Sequence, residues 1–545
     1  MNPFSSARAL ALVGLFLCGW AVPQAHAATF TIQTTADTDG SSCGATCTLR
    51  QALNAANATS EADTLAFAPA VFGSSKQTIA LSAPLPEIGA PVTLTGPSTS
   101  GAGVTLDAGG KSRILSINAG ASLTLSHLTL TGGRAGQGGG SAIYNVGAVT
   151  MRNCTLSNNL TSGAYGYYGA FYNGGTATLS NCTFSNNTVI TYFGSGFDIS
   201  GSGYGGAIGN RGTALTLSNC TFSNCSLSGT GGGGGGALYN GSGKVKVNNC
   251  TFTGNSSNST GGAICNGLLG EPKALLELSS CTLTGNTASR GGAILNFVQC
   301  TLRLSNSIVV GNRGSYGKPQ DIDNGFSPAY SGTFVSGGHN LVGAAENASF
   351  AASDKIGVTS GQVKLGALGD NGGPTQTLAL FPGSIAIDAG KTPLTTDQRG
   401  FARSQGSSPD IGAFEFYPLP TLSVNSPSVK EGNAGTTALT FTLTLSRASK
   451  GQVSVLVNTH QDSAKADSDY VSVGRGTVTF APGVTHQTFT VQIVGDTRVE
   501  RDEQFRLDLR SPVNATLDTP SGIGTILNDD SAPKSPTFAD SGGHS

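Results

Sequence analysis

The chain has 545 residues, a formal net charge of −1, and charged side chains at only 11% of positions. Near-neutrality without a basic run excludes the electrostatic footprint of a nucleic-acid-binding protein. Glycine, at 79 residues, is about twice its usual share, and a length that suggests three or four domains also suits one long solenoid.

Residues 1–27 read as a cleavable export signal. Arg8 is the charged start, Ala9 to Trp20 the apolar stretch, and Ala25-His26-Ala27 the small-x-small cleavage site. The apolar run is about a dozen residues, too short for a bilayer core of roughly 30 Å. Leu17 is too bulky to precede a lipidated Cys18. No later stretch is apolar enough to span a membrane, so the mature chain is expected to be secreted or held at the cell surface.

Residues 28–364 read as stacked coils. A short strand, Thr29 to Thr35, precedes Cys47-Thr-Leu-Arg-Gln-Ala-Leu-Asn-Ala-Ala-Asn57. Thr48 and Gln51 have capping-box spacing, and Leu49, Ala52, Leu53 and Ala56 share one face. An amphipathic helix here is expected to cover the open end of the stack, which otherwise exposes unpaired strand edges. Cys43 and Cys47, close together and far from the other cysteines, are expected to pair in an oxidising compartment. Short alternating strands follow at 77–81, 92–95, 104–106, 113–117 and 122–130, separated by glycine and proline.

Six repeats then run from 139 to 312: a glycine-rich step, small apolar residues, Asn, and a strand ending in a polar-Cys-Thr-aliphatic signal, with a period of roughly 26–38 residues. Such a period marks coils that bury their apolar faces only against neighbours. Asn145, Asn173, Asn210, Asn240, Asn266 and Asn296 occupy one position; Asn159, Asn187, Asn255, Asn286 and Asn312 occupy another, interrupted by Cys225. Stacked Asn amides stabilise such bends. The repeat itself generates the Asn-x-Ser/Thr sequons, so glycosylation does not follow from them. Cys154, Cys182, Cys220, Cys250 and Cys281 share a position. Equivalent side chains lie about 4.7–4.9 Å apart, whereas disulfide Cβ atoms are near 3.8 Å, so a buried thiol stack is expected. Without accompanying His or a Cys-x-x-Cys, a metal site is disfavoured.

Insertions at about 161–169, 189–204 and 226–236 carry Tyr165, Tyr167, Tyr168, Tyr192, Phe193 and Tyr204. They read either as sugar-stacking aromatics or, more economically, as surface filler. From 365 to 418 the repeat gives way to a stretch where opposite charges gather. Asp388, Asp397 and Asp410 facing Arg399 and Arg403 are expected to form a polar plug over the last coil, with structural pairing favoured over a catalytic acid cluster. Residues 419–530 alternate over seven short strands, at 421–425, 437–446, 452–458, 476–481, 486–494, 504–510 and 522–527, which suggests an antiparallel sandwich. The polar stretch 531–545 is expected to lack order.

The Gly-Gly-Ala-Ile-x-Asn repeats resemble the right-handed parallel β-helix of polymorphic-outer-membrane-protein-like bacterial surface proteins, and Cys47 to Leu53 looks like the element that opens many of them. Gly369-Asp-Asn-Gly-Gly-Pro-Thr375 and Asp410-Ile-Gly-Ala-Phe-Glu415 are similar to the choice-of-anchor Q domain. The chain shows no sorting motif, hydrophobic anchor or autotransporter barrel after that domain, which shifts the expectation from attachment toward free secretion. Residues 419–530 resemble a Calx-β domain through Lys430-Glu431-Gly432, Asp467-Ser-Asp469-Tyr470, Gly476-Thr-Val-Thr-Phe480, Gly495-Asp496-Thr497, Glu500-Arg-Asp-Glu503-Gln-Phe505 and Leu527-Asn-Asp529-Asp530. Carried over position by position, the resemblance implies Ca²⁺ ligands at Glu431, Asp469, Asp496, Glu500, Glu503, Asp529 and Asp530. Gly495, Thr497 and Asn528 stand where richer sites hold more carboxylates, which implies fewer ions or binding toward the millimolar range. The alternative is a domain that keeps these acids only as solvated loop residues.

The fold expected is therefore all-β: a right-handed parallel β-helix with an N-terminal capping helix, then an antiparallel sandwich. Between 139 and 312 the only acids are Asp198, Glu271 and Glu277, none repeated on neighbouring coils. Polysaccharide cleavage needs paired carboxylates, or acids with a base, on one face. The expected function is an exported, non-catalytic surface or matrix protein contacting glycans or cell-surface components. A carbohydrate-active β-helix enzyme and a purely structural spacer are the alternatives.

Overall fold

The computed structural model describes residues 27–532, apart from 100, 137, 164–166, 193–202, 230–232, 268–272, 319, 326–330, 404–405 and 450. The export signal, most of the C-terminal tail, Tyr165, Phe193, Asp198 and Glu271 lie outside the described residues. The chain divides into two compact units, 1–416 and 417–545.

Alternating apolar residues in the first unit fold into parallel sheets whose strands follow chain order. Among the described residues, one sheet has 11 strands from Thr29–Ile32 to Thr333–Gly338, a second has 11 from Lys76–Ala80 to Lys355–Ile356, and a third has 9 from Leu115–Ile117 to Ala345–Glu346. Each coil adds one strand to each sheet, the topology of a parallel β-helix. Its interior stacks like on like: Phe184, Phe222 and Phe252 lie face to face with centroids 4.9 and 4.5 Å apart. The helix Leu49–Ala56 forms with the expected capping box and buries Leu49, Ala52, Leu53 and Ala56 against the first strands. Arg50, also buried, holds Asp37 at 2.8 Å. Cys43 and Cys47 are joined.

The repeated cysteines are free and buried; desolvation pushes the Cys281 thiol up to about 12 and raises Cys182 and Cys250, whereas hydrogen bonds along the column lower Cys154 and, against opposing desolvation, Cys220. The first Asn column is a continuous amide ladder. Asn210 Nδ2 donates to Asn240 Oδ1 at 2.9 Å and Asn240 Nδ2 to Asn266 Oδ1 at 2.8 Å, and the ladder runs on through Asn296 to Asn324. The second column ends instead on the Asp321 carboxylate, 2.7 Å from Asn312 Nδ2. Two turn columns went unread in the sequence. His127, Asn153, Asn181, Asn219, Asn249, Ser280, Asn306 and His339 all have φ of 48–57°, and a second left-handed column passes from Asn158, Asn186 and Asn224 to Gly254, Gly285 and Gly311. Asn and Gly recur there because a left-handed turn between sheets costs them least.

The described parts of the insertions are not surface filler: they supply the 3 strands of a fifth sheet and much of Leu160–Gly163, Thr188–Thr191 and Ser226–Gly229 in a fourth sheet of 5, which Arg134–Ala135 and Ser256–Ser257 complete. Tyr167 and Tyr168 are buried, Tyr168 stacks on Tyr204 at 5.2 Å, and Tyr204 lies 4.5 Å from Tyr239; packing, not solvent, takes these rings. Tyr192 is exposed.

Residues 365–416, in turn, do not plug the last coil. They run back along the outer face of the second sheet as a strap. Lys391 N–H donates to Asn306 Oδ1 at 2.8 Å, Ser280 Oγ to Thr392 Oγ1 at 3.0 Å, Asn249 Nδ2 to the Thr396 carbonyl at 2.9 Å, and Gln398 Nε2 to Thr221 Oγ1 at 2.8 Å. Arg399 pairs with Asp397 at 2.7 Å, as expected of that pair. Arg403 meets Glu415 at 3.5 Å and the carbonyl, not the carboxylate, of Asp410. Asp388 is exposed. Once the strap covers them, outer-face Thr221, Thr251 and Thr282 are buried.

The second unit is a sandwich of a four-stranded sheet (486–494, 436–445, 421–424, 516–519) and a five-stranded sheet (428–430, 521–527, 503–513, 453–461, 476–480). The strands Ser428–Lys430 and Thr516–Thr519 were missed, being short and weakly alternating. Each pairs parallel to its neighbour, so the sandwich is mixed rather than wholly antiparallel. Leu439, Phe441, Leu443 and Leu445 are buried on one face, as read, and Tyr470 stacks on Phe505 at 4.3 Å.

Candidate calcium site

Several strand ends converge where the acids lie. Glu431 follows Ser428–Lys430, which pairs with Ser521–Leu527; Asp529 and Asp530 follow that strand; Glu503 opens the strand beside it. The Glu431 N–H donates to the Leu527 carbonyl at 3.2 Å and its carbonyl accepts from Thr437 Oγ1 at 2.7 Å, so its backbone is fixed and its side chain 5% exposed. Asp469 sits in a turn that its own carboxylate closes, Oδ2 accepting the Lys465 N–H at 2.7 Å, while its carbonyl accepts the Val494 N–H at 2.9 Å. That bond places the turn beside Asp496.

Asp469, Glu500 and Glu503 each offer a carboxylate oxygen within 4.8 Å of the others. Two oxygens on opposite sides of a Ca²⁺ ion bound at 2.3–2.6 Å are about 5 Å apart, so these three fit one ion. Burial pushes Glu503 up to about 7, reinforced by a hydrogen bond with Asp469 and the charges of Asp469 and Glu500. Burial also opposes charge on Asp469, but the Lys465 N–H and hydrogen bonds with Glu503 and Ser468 together outweigh it and hold Asp469 below the usual range. Of the two, Glu503 holds its proton more tightly.

The other three, Asp496, Asp529 and Asp530, gather around Glu431. Burial raises its carboxyl, and the charges of Asp496, Glu500, Asp530 and Asp529 add to that rise. Glu431 Oε1 and Asp530 Oδ2 are buried oxygens with no hydrogen-bond donor. Such oxygens cost free energy unless a cation meets them. Asp529 Oδ1 accepts the Gly432 N–H at 3.2 Å and Asp496 Oδ1 the Arg498 N–H at 2.7 Å, so each has one oxygen engaged. Arg498 lies 3.3 Å from Glu500 but is largely exposed. The donor set is all hard oxygen, the chemistry Ca²⁺ takes.

Two residues outside the sequence-derived set shape this end. Asp502 Oδ1 accepts the Asn528 N–H at 3.1 Å, and Asn528 Oδ1 accepts the Glu500 N–H at 3.2 Å, tying two acid-bearing loops together. The signal was present in Glu500-Arg-Asp502-Glu503, where a third acid had no assigned ligand role. At Gly495 a Cβ would come 2.2 Å from the Gly432 carbonyl oxygen, so close backbone approach excludes a carboxylate there.

The family model for the Calx-beta domain matches residues 420–531, and that for the right handed beta helix region matches 112–258 and 142–347. The fold is a right-handed β-helix followed by a Calx-beta domain. Among curated proteins, a stretch is 41% identical over 70 residues to extracellular matrix protein 3 of Lytechinus variegatus, and one is 42% identical over 74 residues to FRAS1-related extracellular matrix protein 2 of Homo sapiens. These cover 12% and 13% of this chain, which spans about 2% of the length of either relative. Solved structures similar to it include the apo-form Calx CBD1 domain, with 25% identity over 21% of this chain and 100% of that one, and calcium binding domain CBD12 of CALX1.1, with 26% identity over 20% of this chain and 46% of that one. The TM-score is 0.19 for both. No helix among the described residues is long and apolar enough to cross a membrane.

Proposed function

We propose that this protein is an exported, non-catalytic component of a cell surface or extracellular matrix, and that its C-terminal domain binds Ca²⁺ through Asp469, Glu500 and Glu503, with Glu431, Asp496, Asp529 and Asp530 beside them. The observation that carries the calcium reading is the cluster of three carboxylates within 4.8 Å, next to two buried carboxylate oxygens that lack donors. The matrix assignment is supported by the short stretches shared with two extracellular matrix proteins. The non-catalytic reading rests on how the acids of the described coils are used. Glu277 is neutralised by Lys244 at 3.0 Å and Arg303 at 3.7 Å, and Asp323 by Arg290 at 2.8 Å.

Calorimetric titration of the full chain with Ca²⁺ tests the first part. Binding heat is expected from the parent and a reduced affinity from Glu431→Ala and Asp529→Ala; a parent without heat removes the calcium reading. Incubation with acidic and neutral polysaccharides tests the second. Product formation that an acid-to-amide substitution in the β-helix abolishes would replace the scaffold with a carbohydrate-active enzyme.

A further inference from the structure

The outer face of the second sheet carries one residue type through eight successive coils: Thr78, Thr105, Thr129, Thr155, Thr183, Thr221, Thr251 and Thr282 stand in register. A lone row of hydroxyls is no site. Here, however, the protein itself shows what the row binds. On the last three rungs Thr221 Oγ1 donates to the Gln376 carbonyl at 2.6 Å, Thr251 Oγ1 donates to Gln398 Oε1 at 2.7 Å, and Thr282 Oγ1 accepts the Ala413 N–H at 3.0 Å. Each rung thus holds a backbone amide group or a Gln side chain of the strap.

The flanking left-handed column changes side-chain partners one rung later, since Asn219 beside Thr221 still donates to Asn181 Oδ1 at 3.2 Å. Under the strap, Asn249 and Asn306 bond strap backbone. On the uncovered rungs Asn153 Nδ2 meets His127 Nε2 at 2.9 Å, and Asn181 Nδ2 donates to Asn153 Oδ1 at 3.0 Å. These amides bond one another where no strap lies over them.

Thr105, Thr129, Thr155 and Thr183 remain half-exposed, whereas Thr221 and Thr251 are 0% and Thr282 2% exposed. Over the uncovered rungs lies a cleft of about 360 Å³, lined by Thr105, Thr129 and Thr155 together with Lys76, Thr99, His127 and Asn153. The uncovered face is therefore continuous with an established peptide interface and has the same register and chemistry.

We propose that the rungs Thr105, Thr129, Thr155 and Thr183 are a docking track for an extended polypeptide segment of a partner protein, rich in Thr and Gln and without net charge, held by the bonds that hold the strap. The strap favours a peptide over a glycan, because its contacts to the covered Thr221, Thr251 and Thr282 hydroxyls are all to amide groups. This names a partner class for the matrix role proposed above and rests on that role only for where the partner is found.

The test is fluorescence anisotropy of the full chain with a labelled peptide of residues 389–398, whose one Lys and one Asp cancel. It is run in chelator, so that failure of the calcium reading leaves it untouched. Saturable binding is expected, weakened about tenfold, or roughly 1.4 kcal/mol, by Thr129→Lys/Thr155→Lys. Thr150→Lys/Thr178→Lys, on the outer face of the other long sheet, is expected to leave it unchanged. Unaltered melting of both variants establishes that they fold. Absent binding, equal loss in both variants, or binding that ignores Thr129 and Thr155 (exchange onto the strap's own rungs) overturns the proposal. Retention of a soluble neutral polysaccharide that depends on Thr129 and Thr155, without peptide binding, also overturns it.

Discussion

Asp410 is 1% exposed, and desolvation is the main reason its carboxyl is pushed up to about 6. The N–H groups of Phe416 and Asp388 and the charge of Arg403 offset only part of that burial, and Asp388 adds to it. A carboxyl raised on folding binds its proton more tightly folded than unfolded. Asp410 therefore costs stability above pH 6, on the order of 3 kcal/mol, and the cost fades as pH falls toward 4. Relative to Asp410→Asn, the parent should gain stability between pH 7.5 and pH 5, read as the difference in melting temperature at each pH; parallel pH profiles would refute this. Glu503 supplies a second titration. Its carboxyl, pushed up to about 7, must lose its proton to bind a cation. Calcium binding near pH 6.5 should release a proton, seen as heats that differ between buffers of different ionisation enthalpy, and Glu503→Gln should abolish the difference.

Within the coils the Asn ladders do what hydrophobic stacking cannot, by satisfying backbone groups at buried bends. Asn240→Ala would strand the amide of Asn210 and the Oδ1 of Asn266, and should cost about 2–4 kcal/mol in denaturant unfolding; a change below 1 kcal/mol would show the ladder to be ornamental. Cys225 is the ladder's weak rung. Asn187 Nδ2 reaches its sulfur at 3.9 Å, whereas Asn255 Nδ2 reaches Asn286 Oδ1 at 2.9 Å. Cys225→Asn should restore the chain of amides and raise stability by about 1 kcal/mol, and destabilisation would mean that the cavity is shaped for sulfur. Both Asn columns, the capping helix and the thiol seam were legible in the sequence because each repeats or caps a repeat. The strap was not: its bonds join residues far apart in sequence, 85 positions for Asn306 and Lys391 and 155 for Thr221 and Gln376, and no local period reports such pairing. The extra sheets were hidden for a related reason, since glycine-rich insertions carry little alternation.

Across the whole chain, chemistry is segregated. The β-helix pairs Glu277 and Asp323 with neighbouring cations, whereas the C-terminal domain concentrates acids in which burial raises Glu431 and Glu503 and mutual repulsion adds to the rise. The seven acids were legible through motif resemblance, but their division into a close trio and a group around Glu431 was not, because it depends on which loop backbones meet. The measurement that bears most directly on the central claim is thermal unfolding of the full chain in Ca²⁺ and in chelator, following the transition of the Calx-beta domain. At a hundredfold excess over the dissociation constant, Ca²⁺ should stabilise that domain by about 2.7 kcal/mol, raising its transition by roughly 10 °C or more, with the shift lost in Asp469→Asn/Glu503→Gln. Identical transitions with and without Ca²⁺ at millimolar excess would contradict the account.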